Sequence, residues 1–461
     1  LSINPKIANF GEPETLPDES YDAIIIGGGI AGMQAALDLG DMGKRVIIVE
    51  KEPSIGGNMF KLSKTFPTMD CASCISTPKM AAATHHPNIK ILTYSEVKGV
   101  EKEEDGSFKA SIFEKPRYVE SSACTACRQC EDACPVIVPS EYDLGLVGRK
   151  AIFVPFETGV PKIAVIDMEN CVYCGACERV CPANSINFLQ TPKWHTLRAK
   201  SVIVATGFQL FDAKRKTDYH FSEYPNVITS MQMERLLAPT RPTHAIVRPS
   251  DGKEPANIAY VLCVGSRDAS LGNPYCSQVC CMYSIKQAQL LMGALPIADI
   301  TIYYIDIRAY GKGFEEFYVQ AKAMGVRFVK GKVAKIEQLE NGNLVLHYED
   351  IENGGKLTKT EHDLAVLSVG LLPNVCPPDL FKGQQLKVDS VGWVTSPDPN
   401  GAPMKTNIDG VFAAGTATGP KDIPDSVVEG SAACMNSIAY INTTTRKIPI
   451  KVARSGRRQT A

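Results

Sequence analysis

The chain has 461 residues, enough for about three domains at ~150 residues each. Its hydrophobic content of 44% and charged content of 21% are those of an ordinary globular protein and exclude disorder as a whole-chain description. With 49 Lys and Arg against 50 Asp and Glu the net charge is −1, so no bulk field favours nucleic acid or an anionic membrane, and nucleic acid is not an expected partner.

What stands out is 16 cysteines, too few for a disulfide-stapled mini-domain in a chain this long, and clustered rather than scattered. The first twenty residues, Leu1 to Ser20, are polar and show no basic segment followed by an apolar core, so they do not read as a secretory signal. The longest apolar stretch, Ala23 to Met33, holds Gly27, Gly28, Gly29 and Gly32. It is shorter than the ~18–20 residues a membrane span needs, and no direct span is expected. A thiol-rich chain without a signal reads as cytoplasmic, with cysteines that bind metal or do redox chemistry.

In chain order, Tyr21 to Ile26 is a short β-branched run that reads as a buried parallel strand. Glycines follow, then a helical pattern from Met33 to Leu39, then a strand over Lys44 to Glu50. Together they form a βαβ unit. A strand around Ile112-Phe113 leads to Pro116 and a cysteine-rich block from Cys124 to Cys181. That block reads as an insertion, because nucleotide-domain character resumes at Ser201 to Gly207. Pro239, Pro242, Pro249 and Pro255 punctuate a linker. A second α/β unit starts with a strand at Ile258 to Val264 and continues with a helix near Ser284 to Leu291, a strand at Ile300 to Ile305, and a β-meander around Val333 to Tyr348. Gly410 to Gly415 and a helix over Val427 to Ile441 return to the first unit, and a basic tail runs from Arg446 to Arg458. The His85-His86 pair before Pro87 reads as a surface turn, and Cys376 and Cys434 as isolated buried residues.

Gly27-x-Gly29-x-x-Gly32 lies between the first strand and its helix. Such glycines allow a tight turn and close backbone approach, and the helix N-terminus, through Ile30 and Ala31, offers free N–H groups to a pyrophosphate. Glu50, with Lys51 beside it, closes the second strand where an acid accepts hydrogen bonds from ribose hydroxyls. Gly56-Gly57, the strand end Ala205-Thr206-Gly207 and the late segment through Gly415 and Thr416 resemble the FAD motifs of flavoproteins with two dinucleotide-binding units. In those proteins the last motif usually ends Gly-Asp, with the Asp on the ribityl chain; here Thr416 stands in its place.

Two runs, Cys124-x2-Cys127-x2-Cys130-x3-Cys134-Pro135 and Cys171-x2-Cys174-x2-Cys177-x3-Cys181-Pro182, have the spacing of a bacterial ferredoxin with two [4Fe–4S] clusters. The fourth cysteine of each run then serves the other cluster. One set is Cys124, Cys127, Cys130 and Cys181; the other is Cys171, Cys174, Cys177 and Cys134. Zinc sites more often come as paired CxxC motifs. A third group, Cys263, Cys276, Cys280 and Cys281, falls where the second βαβ unit would carry its phosphate loop. On spacing alone it fits a further cluster, a zinc site or buried structural thiols.

At Thr68 to Met80, Gly265 to Asp268, Asn273 to Cys281, Tyr304 to Phe317 and Gly419 to Asp425 the chain resembles the A-type iron–sulfur subunits of heterodisulfide reductase, over nearly its whole length from about Tyr21 to about Tyr440. The resemblance implies an α/β fold: a thioredoxin-reductase-like two-dinucleotide-binding flavoprotein with an inserted 2[4Fe–4S] ferredoxin domain. It implies FAD, two ferredoxin-type clusters, and one atypical cluster on Cys263, Cys276, Cys280 and Cys281. The implied divisions are an FAD-binding domain in three parts (1–115, 196–240 and 376–461, the last with the basic tail), the insert (116–195), and an NAD(P)-like domain carrying the third cluster (241–375).

The implied function is an oxidoreductase subunit passing electrons between a two-electron donor or acceptor, ferredoxin and a disulfide-type acceptor, with electron bifurcation as the family's speciality. A quinone-linked or sulfur-metabolism member of the same family is the alternative, and a self-contained NAD(P)H-dependent flavin disulfide reductase is disfavoured by the clustered cysteines. Expected partners are the other subunits of such a complex, ferredoxin, and a hydrogenase- or dehydrogenase-type module, with a homodimer within the complex as one arrangement. The flavin strand at Tyr21 and the lack of cysteines after Cys434 make the sequence resemble a short form of the family. Lys421 is a candidate positive charge near the flavin ring, and Cys71-x2-Cys74 a candidate redox pair or, more simply, a packing element. With Gly265-Ser-Arg-Asp at the second nucleotide loop, direct reduction by NADH or NADPH is not expected.

Overall fold

A computed structural model describes residues 13–374 and 379–446. Cys376 and the basic tail beyond Arg446 lie outside them. Two sheets organise the molecule. The larger runs, from edge to edge, through Phe381–Lys382, Ser95–Lys102, Phe108–Glu114, Lys193–Val204, Glu19–Ile26, Val46–Val49 and Ile89–Leu92. Its central strand Lys193–Val204 does two jobs. Its first half pairs antiparallel with Phe108–Glu114, and its second half pairs parallel with Val411–Ala413, while Glu19–Ile26 covers its other side. The β-branched run at 24–26 is buried on both faces, as a parallel strand under helices requires.

The helix Ile30–Asp41 packs over this sheet with the helices Ala72–His85 and Ile423–Arg446. Met33, Ile55, Phe60 and Met80 form the small core that fastens Ala72–His85 down. His85 closes that helix rather than lying in a turn, and His86 sits within 3.3 Å of Asp41.

The second sheet is wholly parallel, in the order Val227–Thr229, Leu364–Val369, Asn257–Val264, Asp299–Tyr304 and Arg327–Lys330. A three-stranded antiparallel meander, Val333–Gln338, Leu344–Asp350 and Lys356–His362, follows it. The helix under this sheet runs Cys280–Ala294, starting at Cys280 rather than at Ser284. That earlier start places both thiols of the Cys280-Cys281 pair in its first turn.

Between Phe108–Glu114 and Lys193–Val204 lies the cysteine-rich segment. It has two short helices, Gln129–Ala133 and Ala176–Val180, and two two-stranded sheets, Ile137–Pro139 with Gly148–Lys150 and Ile152–Phe153 with Val165–Ile166. Its own core gathers Tyr118, Val119, Ile152, Val154, Ile166 and Ile186 around cysteines.

Candidate flavin and iron–sulfur sites

Parallel pairing brings the strand ends of the larger sheet to one edge. Ile26 stands opposite Val49 and Val204, and Val204 opposite Ala413. Gly27, Glu50, Ala205 and Ala414 therefore leave the sheet side by side. Gly27 has φ +113°, and a Cβ there would lie 2.3 Å from the Ala205 carbonyl oxygen. A Cβ on Gly32 would lie 2.0 Å from the Gly27 oxygen, so the loop and the helix touch backbone to backbone. Before Gly29 the space is open: a Cβ there would meet nothing within 4 Å. The helix Ile30–Asp41 has no side-chain cap and no acid in its first turn, so its terminal N–H groups and positive dipole end face that space uncompensated. The backbone of Gly56-Gly57 crosses in front, with the Gly56 N–H donating to the Gly28 oxygen at 2.9 Å.

The Glu50 carboxylate accepts hydrogen bonds from the N–H groups of Gly28 (2.7 Å) and Glu52 (2.9 Å). Burial raises its pKa while those two bonds hold it down. The neighbouring Lys51 is exposed. At the other side of the loop the Thr206 hydroxyl is buried without a hydrogen-bond partner among the described residues, a group that calls for a ligand or water. Asn374 donates to the Thr206 carbonyl at 2.6 Å.

Gly415, with φ +66°, lies over the first turn of Ile30–Asp41, where a Cβ would be 2.7 Å from that of Ala31. Its N–H donates to Glu429 at 2.9 Å. The same carboxylate takes Lys421 Nζ at 2.6 and 2.7 Å. Lys421 is thus ion-paired, and burial lowers its pKa against the pull of Glu429. Glu429 was not apparent from the sequence, where it is one of two acids in the helix Ile423–Arg446, with Asp425.

In the insert, Cys124, Cys127, Cys130 and Cys181 line one small cavity. Cys134, Cys171, Cys174 and Cys177 line another. The two runs repeat one backbone. Ala126 and Tyr173 both have φ 54°, and their N–H groups donate at 3.4 Å to the sulfurs of Cys124 and Cys171. Burial and the Glu131 charge push the Cys130 thiol up to about 12, a cost that a metal's positive charge removes by deprotonating the ligand. Among the described residues no three His, Cys, Asp or Glu side chains converge on a single metal ion; the thiols instead surround volumes.

The third group forms at the carboxyl end of the second sheet. Cys263 has φ +60° inside a bulge of the strand Asn257–Val264, which turns it out of the ladder. Gly265, φ +68°, lies against the Phe211 ring, where a Cβ would come within 2.1 Å. Cys280 and Cys281 are buried at the helix start, and Cys276 precedes them. Burial, with the Cys263 and Cys276 charges adding, pushes Cys281 up to about 12. Arg267 reaches Asp306 at 2.6 Å. These side chains occupy the place where a Rossmann unit would receive a pyrophosphate.

Cys71 caps the helix Ala72–His85, accepting the Cys74 N–H at 3.3 Å. Cys74 is exposed, and its hydrogen bond to Cys71 raises its pKa, the opposite of what a reactive thiolate needs. Sequence reasoning missed a buried pair nearby. Lys286 Nζ donates to Glu234 at 2.5 Å and to the Lys64 carbonyl at 2.8 Å. The other oxygen of Glu234 accepts the Ser63 N–H (2.9 Å) and hydroxyl (2.6 Å). The helix that opens with Cys280-Cys281 is therefore tied directly to the flavin unit.

Comparison with known proteins agrees with this geometry. Family models match as an FAD binding domain over residues 22–63 and a 4Fe-4S binding domain over residues 164–187. The A-type iron-sulfur subunit of the CoB–CoM heterodisulfide reductase of Methanocaldococcus jannaschii is 47% identical over 425 residues, 91% of this chain and 64% of that protein. The second of two such subunits of Methanopyrus kandleri is 48% identical over 424 residues, with the same shares. Over about nine tenths of its length the chain is thus similar to the A-type subunits of heterodisulfide reductase. It spans just under two thirds of the length of these relatives. In fold it is similar to two thioredoxin reductases, those of T. acidophilum and Lactococcus lactis. Each has a TM-score of 0.51 and 15% identity, over 92% of this chain and 99% of the other. The chain thus has a thioredoxin-reductase-like flavoprotein fold with an inserted ferredoxin motif. Among its described residues no helix is long and apolar enough to cross a membrane.

Proposed function

We propose that this chain is the flavin and iron–sulfur electron-transfer subunit of a heterodisulfide-reductase-like complex, an oxidoreductase working in the cytoplasm with other subunits and with ferredoxin. The observation that carries the reading is the Lys286–Lys64 bond. Cys280, one of the third thiol set, lies roughly 9 Å along one helix from this contact with the flavin unit, at 1.5 Å per residue. Bound FAD supplies exchange between two-electron and one-electron carriers, and clusters supply one-electron relay.

The residues have distinct tasks. The first turn of Ile30–Asp41 and the backbone of Gly27 to Gly32 hold a pyrophosphate. Glu50 keeps acceptor capacity for ribose hydroxyls after its two backbone bonds. The unpartnered Thr206 hydroxyl and the Gly415-Thr416 turn face the rest of the flavin. Lys421 acts there through its pair with Glu429. The sets Cys124, Cys127, Cys130, Cys181 and Cys134, Cys171, Cys174, Cys177 hold one ferredoxin-type cluster each, and Cys263, Cys276, Cys280 and Cys281 hold the third. The domain divisions follow: an FAD-binding unit in three parts, the insert at 116–195, and a nucleotide-like unit at 241–375. Reconstitution followed by iron and flavin analysis tests this. About twelve irons per FAD are expected for three clusters, and fewer than about eight contradict even the two ferredoxin-type sites. Single-turnover spectra then read whether the flavin band cycles with cluster reduction; clusters reduced beside an unchanging flavin contradict the proposed role.

A further inference from the structure

Arg117 is 8% exposed and stands at the root of the insert. Its Nη2 donates to the Pro53 carbonyl at 2.7 Å and to Thr93 Oγ1 at 2.6 Å, both in the flavin unit. Its guanidinium carbon lies 5.6 Å from the Tyr94 ring centre. Nη1 has no hydrogen-bond partner, and among the described residues no carboxylate comes within ion-pair distance. Glu114, the acid whose charge reaches it, is bonded to His195 at 2.6 Å. Burial lowers the guanidinium pKa to about 10, so it remains charged at neutral pH.

A buried cation without a counter-charge is costly, and such groups are normally paired. Besides Glu114, the ionisable groups whose charge would reach Arg117 are Tyr94 and Cys124. The Arg117 carbonyl accepts the Ile166 N–H at 3.0 Å. Tyr118 and Val119 next to it belong to the core that holds Cys124, Cys130 and Cys181, and Val119 lines the first thiol cavity. The Cys124 thiol is near enough for its charge to act on Arg117. Four thiolates around a [4Fe–4S] core carry net negative charge, which grows by one when the cluster takes an electron.

We propose that Arg117 is the buried counter-charge of the cluster in the Cys124–Cys127–Cys130–Cys181 cavity, and that it raises that cluster's reduction potential. The second cavity lacks this arrangement: its nearby cations, Lys150 and Arg179, are less buried and donate to the carbonyls of Cys134 (2.8 Å) and Cys174 (3.2 Å). The proposal rests on the cluster reading above and extends it to a residue that ligates nothing.

The test is an EPR-monitored redox titration of the iron-loaded, flavin-bound chain, with the first cluster identified as the signal altered by Cys127→Ser. Arg117→Gln is expected to move that midpoint to more negative potential by about tenfold in its one-electron equilibrium, about 59 mV, and to leave the other ferredoxin-type cluster in place. Arg117→Lys, which keeps the charge, is expected to restore most of the difference. Thr93→Asp, which pairs the guanidinium where it stands, repeats the test if Arg117→Gln does not assemble, and should give a shift of the same sign. An unmoved midpoint at full iron content, an equal shift in both clusters, or an Arg117→Lys midpoint as low as that of Arg117→Gln overturns the proposal. Iron content unchanged by Cys127→Ser would instead overturn the cluster reading beneath it.

Discussion

Lys286→Met strands the Glu234 carboxylate in a site where Glu234 is 2% and Lys286 1% exposed. Breaking a buried ion pair by removing one partner costs about 3–5 kcal/mol. Glu234 would keep its bonds from the Ser63 N–H, the Ser63 hydroxyl and Gln287 Nε2, which places the loss near the lower end, about 3 kcal/mol. For a unit of 150–250 residues, about 2–4 °C of melting temperature per kcal/mol gives a fall of roughly 6–12 °C. Adding Glu234→Gln removes the stranded charge while keeping an acceptor for Ser63. The double variant should therefore recover part of the loss, with a coupling of about 1 kcal/mol or more. Thermal melting followed by fluorescence measures the first quantity. Hydrogen exchange at the Ser63 amide, which Glu234 holds, measures whether the link between the units has loosened. If Lys286→Met melts within about 1 °C of the parent and the Ser63 amide stays protected, the pair does not join the two units and the reasoning fails.

Three further outcomes are expected. His362 is 1% exposed, between Tyr303 Oη (2.9 Å) and Asn257 Oδ1 (2.7 Å), and burial lowers its pKa to about 4. The unfolded chain binds this proton first. Its contribution is fully present above pH ~6.5 and lost as pH falls toward 4, about 3 kcal/mol in all. Denaturant midpoints against pH should show that slope, and His362→Gln should flatten it; a profile indifferent to the substitution refutes the assignment. Adding NADH to the flavin-loaded chain should leave the band at about 450 nm unbleached, because Arg267 and the third thiol set occupy the second nucleotide loop; rapid bleaching contradicts this. Replacing Cys71 and Cys74 together by Ser should leave electron-transfer rates within a few-fold, since the exposed Cys74 thiol is held protonated by Cys71. A tenfold fall would make them a redox pair.

What could be read from the sequence was whatever one residue type dictates by itself. Gly27 and Gly32 are recognisable because backbone lies where their Cβ atoms would be. The cysteine runs are recognisable because each repeats one loop conformation at Ala126 and Tyr173. What stayed hidden depends on pairs that folding brings together. Glu234 meets Ser63 and Lys286 only after both sheets have formed; Lys421 and Glu429, only eight residues apart, meet once the helix Ile423–Arg446 has formed. The start of the helix at Cys280 was hidden for a local reason: Val279 precedes it with no side-chain cap, so no capping residue marks the spot. Nothing in the sequence singles out Arg117, because its burial without a carboxylate partner among the described residues is a property of the fold alone.

The central strand Lys193–Val204 has a consequence for biosynthesis. It is made after the insert, although its partners Glu19–Ile26 and Phe108–Glu114 emerge long before it, and its neighbour Val411–Ala413 emerges only after the whole second unit. A nascent chain therefore carries the glycine loop and eight insert thiols while the sheet that should support them is still open. Contacts this distant in sequence close slowly. Gly415, the last wall of the proposed flavin pocket, is made only after the whole second unit, so the thiols of the insert emerge well before that pocket can close.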